Sequence, residues 1–256
     1  MHPLNELFRK CKASGEKLAV LTAYDYPMAR LLDEAGVDMV LVGDSLGMVV
    51  LGLPDTTGVD MHMMLHHAAA VRRAVKRAPV VVDLPARSYD RPDQALHNAR
   101  RLVDAGADAV KLEGGVVVIE QVKAITQEGI GYVGHIGMLP QNVKVEGGYK
   151  KKGKTNEDAA RLLEDALALE DAGACAVVLE SIMPQVAEKI SVSLKIPTIG
   201  IGAGSGCDAQ VLVTHDLIGA YPWFKPPFAQ SRANVAQEIT RSVREYVSVV
   251  KAANQA

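Results

Sequence analysis

The chain has 256 residues, enough for one barrel of roughly 250 residues or for two small domains. Hydrophobic residues make up 48% and charged residues 23%, a balance that can fill a sizeable core under a solvated surface and excludes a disordered chain. With 28 basic against 30 acidic residues the net charge is −2, which gives no field to gather nucleic acid or an anionic membrane, so neither is expected as a partner.

Cys11, Cys175 and Cys207 are widely spaced and form no C-x-x-C pattern, which argues against a disulfide framework or a structural zinc site and fits a reducing compartment. The opening MHPLNELFRK has no apolar signal-peptide core and reads as a short N-terminal helix. No apolar run nears the roughly 20 residues that span a bilayer. A soluble, unprocessed, cytoplasmic chain is expected.

In chain order, LAVLTAY from Leu18 is the first strand, and DEAGVDMVLVGDS (33–45) carries a helix end into the second. A loop from Gly47 to Asp60 precedes a helix over Met61–Arg77, and PVVVDLP from Pro79 is the third strand. A helix over Pro92–Ala105 leads into VDAGADAVKLEGG (103–115), the fourth strand, and GYVGHI from Gly131 is the fifth. The loop Gly137 to Lys154 carries the small basic cluster Lys150 to Lys152. A helix over Thr155–Ala172 leads into EDAGACAVVLESI (170–182), then come PTIGIGAG from Pro197, VLVTHDLI from Val211 and a C-terminal helix.

Three of these segments repeat one αβ unit, with Gly36, Gly106 and Gly173 at the expected helix C-caps and a continuous apolar run after each, as a strand buried on both faces requires. Eight strands alternating with helices predict a single-domain α/β protein with a (β/α)8 TIM-barrel fold over residues 1–256. The rival open doubly wound sheet lacks its G-x-G-x-x-G after the first strand. In a barrel, the loops 47–60 and 137–154 both follow strands and lie over the active face.

Strand alternation in AVKLEGG points Lys111 and Glu113 into the barrel and Leu112 away from it. Asp44, Asp83 and Glu180 end three further strands at the same rim, although Asp44 lies one position out of register and needs a bend at the strand end. Carboxylates crowded this closely raise one another's pKa values unless a cation compensates them, and oxygen ligands select a hard ion such as Mg²⁺. Lys111 admits two readings, a Schiff-base nucleophile or a cation for a substrate carboxylate, and the neighbouring Glu113 favours the second. His135 closes the fifth strand, where a neutral imidazole can donate to an enolate or carboxylate oxygen. His62 and His66 have i, i+4 spacing without an H-E-x-x-H glutamate and read as ordinary helix residues. GIGAGSG from Gly200 suits either an anion held on backbone amides or a close approach of substrate.

In their order and spacing, AYDYPMA, VGDSLGMVVLGLPDT, DLP, VKLEGG, GHIGMLPQ, GGYK, VLE and PTIGIGAG followed by CDAQVLVTHD resemble the ketopantoate hydroxymethyltransferase (3-methyl-2-oxobutanoate hydroxymethyltransferase) family from about Leu18 to Asp216. The resemblance implies a barrel of the group acting on pyruvate-like substrates. It implies transfer of a one-carbon unit from 5,10-methylenetetrahydrofolate to 3-methyl-2-oxobutanoate, giving 2-dehydropantoate for pantothenate synthesis. It also implies Asp44, Asp83 and Glu113 as ligands of Mg²⁺ or another divalent cation. Asp44, Ser45, Asp83, Lys111 and His135 would meet the keto acid, and Glu180 would be the proton acceptor. A cytoplasmic homo-oligomer, a decamer, is implied as well. Ala86, Arg87 and Ala209 depart from the family's usual residues, and YPWFKPPF near the end matches it loosely.

Overall fold

In the computed structural model, residues 3–253 are described, and among them eight parallel strands close into a barrel in sequential order. They are β1 (Leu18–Thr22), β2 (Met39–Val42), β3 (Val80–Asp83), β4 (Ala109–Lys111), β5 (Gly131–Gly137), β6 (Ala176–Glu180), β7 (Thr198–Ile201) and β8 (Ala209–Leu212). Chain contacts divide the protein into two compact units, residues 1–211 and residues 212–256. The second holds the helices Thr214–Ile218 and Val235–Ala253.

The strand sequences sort their side chains by alternation. Val20, Met39, Leu41, Val81, Ala109, Val133, Ala176, Val178, Ile199 and Ala209 share one cluster inside the barrel, whereas Val40, Val42, Val80, Val82, Val110, Val177 and Leu179 join the layer beneath the helices. Leu4, Phe8 and Cys11 of the helix Pro3–Ser14 recur at steps of four and three and complete the inner cluster. Because the parity is strict, Asp83, Lys111, His135 and Glu180 continue the inward rows at the strands' carboxyl ends. The same alternation builds core and site.

The repeated αβ unit closes in the same way each time. Gly36, Gly106 and Gly173 adopt φ of 93°, 104° and 95°, and the residue after each donates its N–H back to Leu32, Leu102 and Leu169. This left-handed turn is open to glycine without a Cβ penalty. Two residues beyond the glycine, Asp38 accepts the Ala19 N–H and Asp108 the Val80 N–H, both at 2.8 Å, tying each strand start to its neighbour. In the third copy Cys175 occupies that place and its thiol donates to the Tyr132 carbonyl.

The helix from Met61 ends at Ala74 rather than Arg77. The Asp33 carboxylate accepts the backbone N–H groups of Lys76, Arg77 and Ala78 at 2.8–3.2 Å, and Pro79 disfavours helical geometry just before it. The other two helices are Pro92–Asp104 and Asn156–Asp171, the latter capped by the Thr155 side chain. Substituting Asp33 by Ala leaves three amide donors without their acceptor, and we expect a loss of about 2–4 kcal/mol in urea unfolding with turnover by the folded fraction unchanged. A midpoint equal to that of the parent would show that water replaces the carboxylate at no cost.

The last strand differs from its expectation. β8 spans Ala209–Leu212, two residues earlier than Val211, and Thr214–Ile218 of the expected strand is helical. A short apolar run fits strand and helix equally well by periodicity, and pairing with β7 selects Ala209 and Gln210.

Candidate active site

The rim site begins at a bend. Chain direction changes after Val42, where Gly43 accepts from the Leu46 N–H and Asp44 from the Gly47 N–H as the short helix Leu46–Val49 begins. A Cβ on Gly43 would stand 2.8 Å from the Ser45 hydroxyl, so glycine is what this turn accommodates. The turn brings Asp44 inward although strand parity would send it out, and its backbone N–H donates to Asp83 Oδ2 at 3.1 Å.

Asp83 faces Lys111 across the β3–β4 register, and Lys111 Nζ lies 3.0 Å from Asp83 Oδ1. That oxygen is buried and makes no well-formed hydrogen bond. Burial alone would lower the Lys111 pKa, but the carboxylates of Asp83, Glu113 and Asp44 outweigh it and push the ammonium above its ordinary value. Lys111 therefore stays charged, which suits a carboxylate-binding cation and not a Schiff-base amine. Burial, then the Asp83 charge, pushes Asp44 up to about 7, and burial with the Asp44 charge raises Glu113 well above the carboxylate range.

His135 joins the two sides of the site. Its Nδ1 lies 3.3 Å from Lys111 Nζ and 3.6 Å from Glu113 Oε1, and its Nε2 lies 3.2 Å from Glu180 Oε2. Burial, then the Lys111 charge, holds its pKa well below the ordinary value, so the ring is neutral. Because the ammonium can only donate, Nδ1 is the acceptor and the ring proton falls to Nε2, which is buried on the Glu180 side without a well-formed hydrogen bond. Burial pushes Glu180 up to about 7, with Lys111 opposing the shift.

The model of the family described as "Ketopantoate hydroxymethyltransferase" matches residues 4–255. The chain belongs to the ketopantoate hydroxymethyltransferase family. Among its relatives, the 3-methyl-2-oxobutanoate hydroxymethyltransferase of Ignicoccus hospitalis is 51% identical over 97% of this chain and 94% of its own. That of Syntrophus aciditrophicus is 52% identical over 96% and 91%. Among solved structures, a phosphoenolpyruvate phosphomutase from Streptomyces platensis subsp. rosaceus superposes with TM-score 0.67 at 18% identity over 97% of this chain and 88% of that one. A phosphonopyruvate hydrolase in complex with oxalate and Mg²⁺ gives 0.64 at 14% over 98% and 88%. At such identities these structures show a shared fold.

Of the residues that the ketopantoate hydroxymethyltransferase resemblance singles out, Asp44, Asp83, Lys111, Glu113, His135 and Glu180 are linked through these contacts, and Ser45 lies beside them with its hydroxyl 2.8 Å from that of Tyr24. Gln141 was not expected. Its backbone N–H donates to Glu113 Oε2 at 3.0 Å, its side-chain amide donates to Asp44 Oδ2 at 2.8 Å and to the Leu84 carbonyl at 3.0 Å, and the Tyr89 hydroxyl donates to its Oε1 at 2.5 Å. A search guided by ionisable side chains passes over a glutamine. The signal was its place in GHIGMLPQ, just past a strand end on a loop over the rim.

Among the described residues no group of three or more His, Cys, Asp or Glu side chains is gathered so as to hold a metal ion as it stands. The chemistry of the donors nevertheless suits a hard divalent cation, because Mg²⁺ takes oxygen ligands and completes its shell with water and substrate oxygens. Asp83 Oδ1, buried with only the Lys111 ammonium at 3.0 Å and no well-formed hydrogen bond, and the raised carboxyls of Asp44 and Glu113 are what such an ion would satisfy. His62 and His66 lie exposed on their helix. In GIGAGSG, a Cβ on Gly204 or Gly206 would press within 2.8 Å of Pro184 or Glu188, so these two glycines admit the neighbouring helix. The loops over the rim meet each other where Lys144 Nζ pairs with Asp55 at 3.2 Å. Arg87, at φ 65°, donates to the Thr57 carbonyl on the same rim.

Proposed function

We propose that this chain transfers a one-carbon unit from 5,10-methylenetetrahydrofolate to 3-methyl-2-oxobutanoate, giving 2-dehydropantoate and tetrahydrofolate in pantothenate biosynthesis. The observation that carries the reading is the buried carboxylate cluster around Lys111, with the Glu180–His135 pair beside it, in a chain about half identical to enzymes of that name over nearly its whole length. No helix among the described residues is long and apolar enough to cross a membrane. A cytoplasmic homo-oligomer, a decamer, is the proposed working form.

Asp44, Asp83 and Glu113 would hold Mg²⁺ or another divalent cation. A cation bound there supplies Lewis-acid polarisation of a carbonyl, worth several kcal/mol of transition-state charge stabilisation. Lys111 would draw the keto-acid carboxylate into the rim, with the Ser45 hydroxyl at its side. Glu180 takes the proton from C3 of the keto acid, and the neutral His135 holds its Nε2–H toward that carboxylate. The C3 carbanion then attacks the methylene carbon of the donor as that carbon's bond to one folate nitrogen breaks, and water displaces the second nitrogen, so that tetrahydrofolate leaves with the added proton and the carbon stays on the product as a hydroxymethyl group. Burial gives Glu180 a carboxyl near 7, where a base is strong enough to take a carbon acid's proton yet is still about half ionised at neutral pH.

The test is an assay with 3-methyl-2-oxobutanoate, methylenetetrahydrofolate and Mg²⁺ that looks for 2-dehydropantoate. Turnover of a dicarboxylate without the folate would replace this reading with a lyase of the same barrel group. We also expect kcat/KM to rise with pH through about 7 and then level off, because the base works only after losing its proton. A profile flat from about pH 5 to about pH 9 would remove Glu180 from that role.

A further inference from the structure

The three carboxylates assigned to the cation share an arrangement that strand parity does not explain. Each has one oxygen fixed by an N–H of the protein: Asp83 Oδ2 by the Asp44 backbone, Asp44 Oδ2 by the Gln141 side chain and Glu113 Oε2 by the Gln141 backbone. The second oxygen of each lies outside those bonds. A carboxylate with one oxygen bound can no longer turn freely, so its other oxygen is held in one direction.

Two of the three anchors come from one residue. Gln141 is buried, and its side-chain amide and backbone N–H are all engaged: two amide hydrogens on Asp44 and Leu84, the backbone N–H on Glu113, and Oε1 on the Tyr89 hydroxyl. Those partners also fix which way the amide points. Asp44 and Leu84 offer only acceptors, and Tyr89 supplies the donor, so exchanging the amide oxygen and nitrogen would set Oε1 against the Asp44 carboxylate.

We propose that Gln141 is a positioning residue for the cation site, and that Tyr89 is the latch that holds its amide in the working orientation. The latched amide decides which oxygen of Asp44 is presented to the ion, while the Gln141 backbone N–H does the same for Glu113. The inference rests on the metal reading above. In this role Gln141 acts on the ion through the carboxylates it holds and not as a ligand of its own. It also couples the site to the loop 137–154, since the residue that orients Asp44 and Glu113 is carried by that loop.

The test measures metal affinity without turnover, by titrating MgCl₂ calorimetrically into metal-free protein. Gln141→Ala is expected to weaken Mg²⁺ binding by about 10- to 100-fold, the usual effect of removing a group that orients a ligand, and Tyr89→Phe by a smaller factor. Because Tyr89 acts through Gln141, the double variant should bind no more weakly than Gln141→Ala alone. A folded Gln141→Ala protein with the parent's affinity would overturn the proposal, and so would losses that simply add in the double variant. Should Gln141→Ala fail to fold, Tyr89→Phe removes a single hydroxyl and decides alone: weaker Mg²⁺ binding with an unchanged metal-free melting temperature supports the latch, and parental affinity rejects it. A parent protein that takes up no Mg²⁺ is a separate result, which sinks the metal reading and this inference together.

Discussion

Replacing Glu180 by Gln should lower kcat by about 10²- to 10⁴-fold while leaving KM for the keto acid near its original value. The substitution keeps the size of a side chain that is only 14% exposed, so neither the β6 end nor its neighbours need to move. What disappears is the acceptor proposed for the C3 proton. The step can be watched by itself: 3-methyl-2-oxobutanoate incubated with protein and Mg²⁺ in D₂O, without the folate, should exchange its C3 hydrogen with the parent enzyme and not with the variant. Exchange at the parental rate would move the base elsewhere and leave Glu180 a bystander.

The second large effect belongs to Lys111. Its side chain is 5% exposed and it opposes the charge of four carboxylates, those of Asp83, Glu113, Asp44 and Glu180. Lys111→Met removes the charge and retains much of the volume, leaving Asp83 buried without its cation. Breaking a buried pair in this way costs about 3–5 kcal/mol. The cost depends on pH with a definite sign. Asp44 in the folded protein sits near 7, above its unfolded value of 3.8, so it favours folding while protonated and that contribution is lost as pH rises toward 7. The variant, with less positive charge nearby, should show the steeper loss. Metal-free Lys111→Met should therefore unfold much more readily than the parent near pH 8 and closer to it near pH 5, as read from urea midpoints. Its KM for the keto acid should rise about 10- to 100-fold, the value of one charged hydrogen bond. Unchanged KM with unchanged midpoints would place the carboxylate-binding cation on another residue.

Much of this architecture is legible in the chain. The three glycines at the helix ends, and the apolar run after each, fix both the αβ unit and the period at which strands return. Once Lys111 and Glu113 are set to alternate with Leu112, the interior of the barrel follows. Asp44 shows where spacing alone stops: its parity is wrong, and only the turn after Gly43 brings it inward. Gln141 and Tyr89 lie beyond that reach, because hydrogen bonds between a loop amide, a phenol and two carboxylates leave no periodic trace and require no ionisable pattern. β8 was misplaced because a short run of apolar residues looks the same in a strand as in a buried helical turn until pairing selects a register.

The Asp33 carboxylate at the other end of the barrel has a consequence of its own. Burial would raise its pKa, but the three backbone N–H groups on it prevail and hold it below the ordinary value, so its contribution is present above pH 3.8 and fades as pH falls through the folded value. Asp44 behaves in the opposite sense. Acid therefore loosens the floor of the barrel, whereas the rise from acid to neutral pH loosens its mouth, so in the metal-free protein the two ends of one fold respond to pH in opposite senses.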